Sequence, residues 1–436
     1  MAHNTYQLWR CSRCVRKCAL LIALASICGA ATADDDDALQ LQSAALDPES
    51  GVASTSKALR MLVEAGAGHA TERFGGSGSS AVSRLSLDLA YATKLGGAWR
   101  LVLSDRLEYQ SPAEPDRSQT LNSLREAYLS WSGTGGESVI DAGRINMRFG
   151  PAYGYNPTDM FRDGALRAVT TSNPFSLREN RMGTVALRLQ RLWADGSLSL
   201  VLSPKLSDAS SGSTWSLDLG ATNHRDRALL GWSQRWGERF SSQVLLLADR
   251  DEGLQAGTNF SGLLGDSWVV FGEWAAARER LLADKLLGTT QAAKVFGQRA
   301  SLGFTFTSST KLNITLEGEL NSFAMPLSQW QALAVTQPQL LAAYALQAGR
   351  LQDLAMRTAA LLYVNQSDFL ARNLDLTALV RYNAVDHSRI LWAEMRYRFK
   401  FNDIAVQFQS NSGRDGTQYG SLPAKNITQF LANFHY

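Results

Sequence analysis

Between Asp141 and Arg191 the chain places eight arginines, Arg144, Arg148, Arg162, Arg167, Arg178, Arg181, Arg188 and Arg191, against four carboxylates, Asp141, Asp159, Asp163 and Glu179. A guanidinium offers a planar fork of donors that matches the oxygens of carboxylate, sulfate or phosphate, so this local excess of positive charge is chemistry for drawing an anionic solute. In extended chain Arg144, Asn146 and Arg148 share one face opposite Ile145, Met147 and Phe149, and Arg188 shares one with Ala186 and Gln190 opposite Leu187 and Leu189. The 150–180 segment between them is rich in turn formers and sets Tyr153, Tyr155 and Asn156 among Gly150, Pro151, Gly154 and Pro157. Such a loop can fold into an interior and narrow it. The same arginines can equally pair with Asp159, Asp163 and Glu179 simply to pack the loop.

Catalysis finds less in the sequence. Beyond the first 33 residues the histidines are His69, His224, His387 and His435, none in a catalytic motif, and neither Gly-x-Ser-x-Gly nor His-Glu-x-x-His occurs. All four cysteines, Cys11, Cys14, Cys18 and Cys28, precede residue 30. Their Cys-x-x-Cys spacing invites a metal or redox reading, but they lie in a segment with another purpose. Arg10, Arg13, Arg16 and Lys17 lead into an apolar run over 19–30. A membrane helix needs about 20 apolar residues, so this shorter run behind positive charge reads as a secretory signal. Ala31-Thr32-Ala33 fits its cleavage pattern and four aspartates follow at 34–37, which predicts a signal peptide over 1–33 and a polar periplasmic extension over 34–56. Cys28 is a poor lipid acceptor because Ile27 stands where a small residue is expected. The mature chain then has no cysteine, and the loss of four basic groups takes the net charge from +3 to −1. Neither a metal, a cofactor nor a nucleic-acid partner is expected.

The elements that carry the arginines are strands. Leu85, Leu87, Leu89 and Tyr91 alternate with Arg84, Ser86, Asp88 and Ala90, and Leu391, Ala393, Met395, Tyr397 and Phe399 with Glu394, Arg396, Arg398 and Lys400. A period of two puts the sets on opposite faces of a strand. The same alternation appears at 198–202, 215–219, 300–306 and 312–317. A soluble sandwich alternates too, yet these segments run to roughly 9–12 residues, long enough to cross a bilayer at a tilt. Trp99, Tyr109, Trp131, Trp193, Trp232 and Trp236 fall near segment ends, where interfacial girdles belong. At the C-terminus Phe430, Ala432, Phe434 and Tyr436 alternate with Gln429, Leu431, Asn433 and His435, and this aromatic ending resembles the signal read by the outer-membrane assembly machinery.

The reading is an all-β transmembrane antiparallel barrel over 57–436, with about 18 strands and 16 as the alternative. Breaks at 94–98, 194–196 and 400–403 are predicted periplasmic turns, and those at 111–120, 150–180, 278–296, 321–355 and 411–425 extracellular loops. The strand parity fails between about 223 and 266, where the break at Gly237-Glu238 falls on the loop side. Leu327, Trp330, Leu333 and Ala334 recur at helical spacing, which predicts a helix inside the 321–355 loop. A guanidinium on the lipid face at mid-bilayer costs about 2–4 kcal/mol, so Arg144, Arg148 and Arg188 are expected to point inward. Pore-lining positions are then Arg144, Arg148, Arg162, Arg178, Arg181, Arg188, Asp159 and Asp163, with a constriction at Tyr153, Tyr155 and Asn156.

Leu124-Arg125-Glu126-Ala127-Tyr128-Leu129-Ser130-Trp131, Asp141-Ala142-Gly143-Arg144 and Asn156-Pro157-Thr158-Asp159 resemble large porin-like barrels of the alginate-export type and related uncharacterised families. The resemblance covers about a sixth of the chain, and Ile145 stands where those proteins often carry glutamine. It implies a substrate-selective pore with basic lining residues. The expected function is thus an outer-membrane porin or selective channel of a Gram-negative bacterium, passing hydrophilic and anionic solutes or acidic polysaccharide. A non-conducting assembly or adhesion barrel is the alternative, and a barrel hydrolase the least favoured. The implied partners are outer-membrane lipid and lipopolysaccharide, the barrel assembly machinery and the solute.

Overall fold

The computed structural model describes residues 59–74, 78–113, 117–169, 171–286 and 292–436, so the signal and the extension over 34–56 lie outside the described residues. Its strands are β1 (Leu59–Glu72), β2 (Ser79–Gly96), β3 (Trp99–Ser111), β4 (Thr120–Ser132), β5 (Ser138–Ile145) and β6 (Thr184–Trp193). There follow β7 (Gly196–Ser203), β8 (Arg227–Trp236), β9 (Phe240–Asp249), β10 (Gly253–Leu264), β11 (Trp268–Glu279) and β12 (Val295–Thr307). The ring is completed by β13 (Leu312–Asn321), β14 (Thr358–Gln366), β15 (Leu374–Asn383), β16 (Arg389–Arg398), β17 (Asn402–Ser412) and β18 (Ala424–His435). Each strand pairs antiparallel with its sequence neighbours, and β18 returns to β1, so 18 strands close into a barrel.

Closure leaves no sheet edge and lets every wall backbone group find a partner, which a hydrocarbon surrounding requires. Burial follows the period of two with inverted chemistry. Leu198, Leu200 and Leu202 are about 40% exposed, at 44%, 37% and 41%, while Ser197, Ser199 and Val201 between them are buried. The apolar set faces outward to lipid and the polar set faces the lumen. Trp99, Trp131, Trp193 and Trp236 sit at the short-turn end of their strands, and Trp232, four residues further into β8, packs edge-on against Trp236 at 6.2 Å. Tyr109 lies at the opposite end.

One predicted strand is absent. Trp215, Leu217 and Leu219 alternate but belong to a 204–226 loop, where Asp218 turns left-handed (φ 48°) and a short helix, α2 (Leu219–Thr222), follows. Asp218 takes this conformation beside Arg167 at 3.5 Å and Arg117 at 3.6 Å, so charge pairing overrides a five-residue alternation. Removing the false strand repairs the parity between 223 and 266. The 237–239 break is a short-end turn, and β9 meets β10 at the rim through only 250–252.

The same loop mends the wall. The ladder between β6 and β7 stops at the Leu187–Leu202 pair. Above it the buried Asn223 side chain accepts from Val185 N at 2.9 Å and donates to Val185 O at 2.8 Å, to Pro204 O at 2.9 Å and to Ser203 Oγ at 3.1 Å. The helix expected after residue 321 appears as a pair, α4 (Leu327–Thr336) and α5 (Pro338–Arg350), whose Trp330 and Tyr344 are buried against Met325, Leu341 and Met356. Two short helices, α1 (Pro174–Glu179) and α3 (Leu282–Leu286), lie in the connections after β5 and β11.

The last strand does close the ring: Phe434 stands opposite Val63, and Tyr436 and Met61 exchange backbone hydrogen bonds of 2.9 and 3.3 Å. Phe430 is 62% exposed on the lipid side. Changing Phe434 and Tyr436 to serine removes apolar contact worth about 1.5–3 kcal/mol per side chain where the barrel must seal. The expected result is a severalfold lower yield of the folded, heat-modifiable form on gels.

Candidate functional site: a constriction across the lumen

The 146–183 segment leaves β5 and folds into the barrel rather than over its rim. Its apolar side, Met147, Met160 and Phe161, packs on the inward faces of Val201, Leu229, Leu245 and Leu247. Those wall positions explain the uninterrupted run Val244–Leu247 in β9, which is apolar on both faces: lipid outside, loop inside. The run was a signal of an occupied lumen that the period of two does not show.

Two wall carboxylates fasten the loop. Glu273 on β11 accepts from Ala152 N (2.8 Å), Asn156 Nδ2 (3.1 Å), Thr158 N (3.0 Å) and Thr158 Oγ1 (2.8 Å). Glu317 on β13 accepts from the backbone N–H groups of Tyr153 (2.7 Å), Gly154 (3.1 Å) and Tyr155 (2.9 Å). Such approach requires glycine. Gly150 has φ 83° and a Cβ there would lie 2.2 Å from Glu273, while one on Gly154 would lie 2.4 Å from Glu319. The Tyr153 ring then meets Phe175 edge-on at 4.9 Å and Phe271 at 5.5 Å. Tyr155 is buried, its hydroxyl donates to Asp353 at 2.7 Å, and burial pushes its phenol well above the ordinary pKa. Asn156 folds back onto Ala152 O at 2.6 Å.

Most of the expected lining charges are spent inside this loop. Arg181 pairs with Asp159 at 2.8 Å, and both are almost wholly buried. Arg178 donates to Phe149 O (2.8 Å) and Gly150 O (3.0 Å), and Arg162 to Asn156 O (2.7 Å). Burial lowers the pKa of Arg178 and Arg181, with Asp159 opposing the shift in both. Asp163 pairs with Arg225 at 2.7 Å; desolvation would raise its pKa, but Arg225 and His224 outweigh it and hold the carboxyl below its usual range.

Arg188 is on the lumen wall, both of its nitrogens Nε and Nη2 donating to Asp141 Oδ2 at 2.8 and 2.7 Å. Arg144 is not. It stands opposite Ala127 and Val185, the reverse parity from Asp141, and is buried at 3% exposure, with Nη1 donating to Leu124 O at 3.1 Å. The reason is local: β5 ends at Ile145, and Arg144 caps its edge beneath the loops instead of facing the lumen. Arg148, just beyond the strand, is exposed and feels Glu126 of β4.

Facing the loop, the wall carries a charged belt that the sequence analysis did not single out. Arg84 pairs with Glu64 at 3.1 Å, Arg106 with Asp88 at 2.5 Å and Glu108 at 3.1 Å, and Arg125 with Asp88 at 2.7 Å. Across the seam, Arg396 joins Glu394 at 2.8 Å and also Asp403. Arg125 reaches the loop as well, donating to Asn180 Oδ1 at 2.9 Å. The belt is dispersed over six strands, β1–β4, β16 and β17, that only the closed sheet brings together. Its signal was a set of charged residues on the polar face of the strands, Arg84 and Asp88 among them. The constriction is thus a loop clamped to one side of the barrel and a mixed-charge belt on the other.

No protein-family model matches this sequence, and no curated protein matches it. Solved structures do share the fold. OccAB1 of Acinetobacter baumannii aligns with a TM-score of 0.57 at 9% identity, covering 87% of this chain and 96% of that one. OccAB3 of the same organism gives 0.51 at 8% identity over 87% and 98%. OccK8 (OprE) of Pseudomonas aeruginosa gives 0.50 at 11% identity over 87% and 97%. The protein therefore has the fold of the large outer-membrane porins. These likenesses are to Occ-type barrels, and the alginate-export resemblance stays one of short sequence stretches.

Proposed function

We propose that the protein is a selective channel in the outer membrane of a Gram-negative bacterium, passing small hydrophilic anions. The observation that carries this reading is which partner of each lumen ion pair meets water. Arg188 keeps 24% of its side chain exposed against 2% for Asp141, Arg381 28% against 0% for Glu319, and Arg398 42% against 10% for Asp375. Arg396 follows the same order, whereas Arg84 and Arg106 are no more exposed than their carboxylates, and in the Arg225–Asp163 pair at the rim the carboxylate is the more exposed partner. A solute therefore meets guanidinium forks whose counter-charges are set back in the wall.

Each fork is already half-satisfied, which suits transport. Binding has to favour entry and still release the solute, and a guanidinium shared between wall and solute does both. The loop, fastened across the lumen by Glu273 and Glu317, favours small solutes over an acidic polysaccharide, which needs an open bore. Reconstituted in planar bilayers, the protein should give stepwise single-channel currents that small dicarboxylates interrupt more strongly than acidic oligosaccharides do. A protein that inserts and never conducts would point to the non-conducting barrel instead.

A further inference from the structure

At the rim, away from the belt, eight charged side chains close into a ring of alternating sign. Asp163 meets Arg225 at 2.7 Å, and Arg225 meets Glu252 at 3.7 Å. Glu252 meets Lys285 at 3.4 Å, Lys285 meets Glu279 at 3.1 Å, and Glu279 meets Arg299 at 2.8 Å. Arg299 continues to Asp353 at 3.6 Å and Asp353 to Arg162 at 3.9 Å, whose chain neighbour is Asp163, where the ring began. The ring encloses a cavity of about 90 Å³. Arg162 and Asp163 come from the constriction loop, Arg225 from the 204–226 loop, Glu252 from the 250–252 turn, Lys285 from α3 and Asp353 from the 322–357 loop, while Glu279 and Arg299 belong to strands β11 and β12.

Bulk stability does not explain such a ring. A buried ion pair roughly breaks even against apolar packing, and its better-attested use is to fix one arrangement among several, because any other leaves a charge uncompensated. Here the arrangement fixed is that of five connections between strands. The constriction loop can swing towards the belt only by parting Arg162 and Asp163 from their partners.

We propose that the ring is a fastening that positions the constriction loop, and that the channel stays open only while the ring is intact. The second half rests on the channel reading above; the first half does not. Arg225→Met and Asp353→Asn cut the ring at two separated points, and Asp163→Asn, at its more exposed end, serves if Arg225→Met fails to give a heat-modifiable barrel. Full-length barrels are treated with trypsin and the cuts mapped by mass. Wild type should resist, and each variant should be cut within 146–183, at Arg162 or Arg167, at least tenfold faster. Each cut frees one of the loop's two attachments, so the double variant should be cut faster than either single one. In bilayers the same variants should close severalfold more often. Folded variants as trypsin-resistant as wild type, or a double variant cut no faster than either single one, overturn the fastening. If wild type passes no current, the channel reading fails and the trypsin result still decides the fastening.

Discussion

Glu317→Ala should release the middle of the constriction loop while leaving the 18-stranded wall closed. The carboxylate is 1% exposed and accepts three consecutive backbone N–H groups, from Tyr153 to Tyr155. Alanine leaves those donors facing apolar rings and a cavity. Each unsatisfied buried group costs about 1–3 kcal/mol, so the expected loss for three is on the order of 3–9 kcal/mol. Glu317→Gln keeps one accepting oxygen and should fall between the two. Urea titration monitored by heat-modifiable migration measures the loss, and trypsin mapping should show the 146–183 segment newly cut. A Glu317→Ala protein as stable and as resistant as wild type would mean that the loop is held by its aromatic contacts alone.

The second large effect separates arginines that look alike in sequence. Arg148→Glu with Arg188→Glu should weaken or reverse an anion preference in a folded barrel, because Arg148 is exposed and Arg188 is the open partner of its pair. Arg144→Glu should instead prevent folding. It would set a carboxylate against Leu124 O in a site 3% exposed, and uncompensated buried charge costs about 3–5 kcal/mol. Reversal potentials test the first pair and yields of heat-modifiable barrel the second. A normal Arg144→Glu barrel with altered selectivity would put that side chain in the passage after all. Selectivity should also fade with salt, since the Debye length falls from about 10 Å at 0.1 M to about 3 Å at 1 M.

Much of the fold was legible because a barrel wall repeats one simple rule. Alternation marked the strands, tryptophans marked the short-turn end, and the aromatic C-terminus marked the closing strand. The rule failed where length was too short to decide, at Trp215–Leu219, and where both faces were apolar, at Val244–Leu247. The 150–180 loop was recognisable from its glycines, prolines and tyrosines. What fastens it was not, because Glu273 and Glu317 lie more than a hundred residues downstream and look like any other lumen-facing glutamate. Arg144 was misplaced for a related reason: the cost of a lipid-facing guanidinium was taken to send it into the lumen, whereas the loops bury its side of β5. The belt of Arg84, Arg106, Arg125 and Arg396 forms no sequence cluster and exists only after closure.

The central claim is that guanidinium groups are the lumen charges a solute meets. The reversal potential of the wild-type channel, measured across a tenfold potassium chloride gradient with both sides kept below 0.2 M, tests it most directly. The account predicts the sign of an anion-preferring pore, with the potential shrinking as both solutions are raised towards 1 M. A potential of the opposite sign at low salt, showing cations preferred, would contradict it.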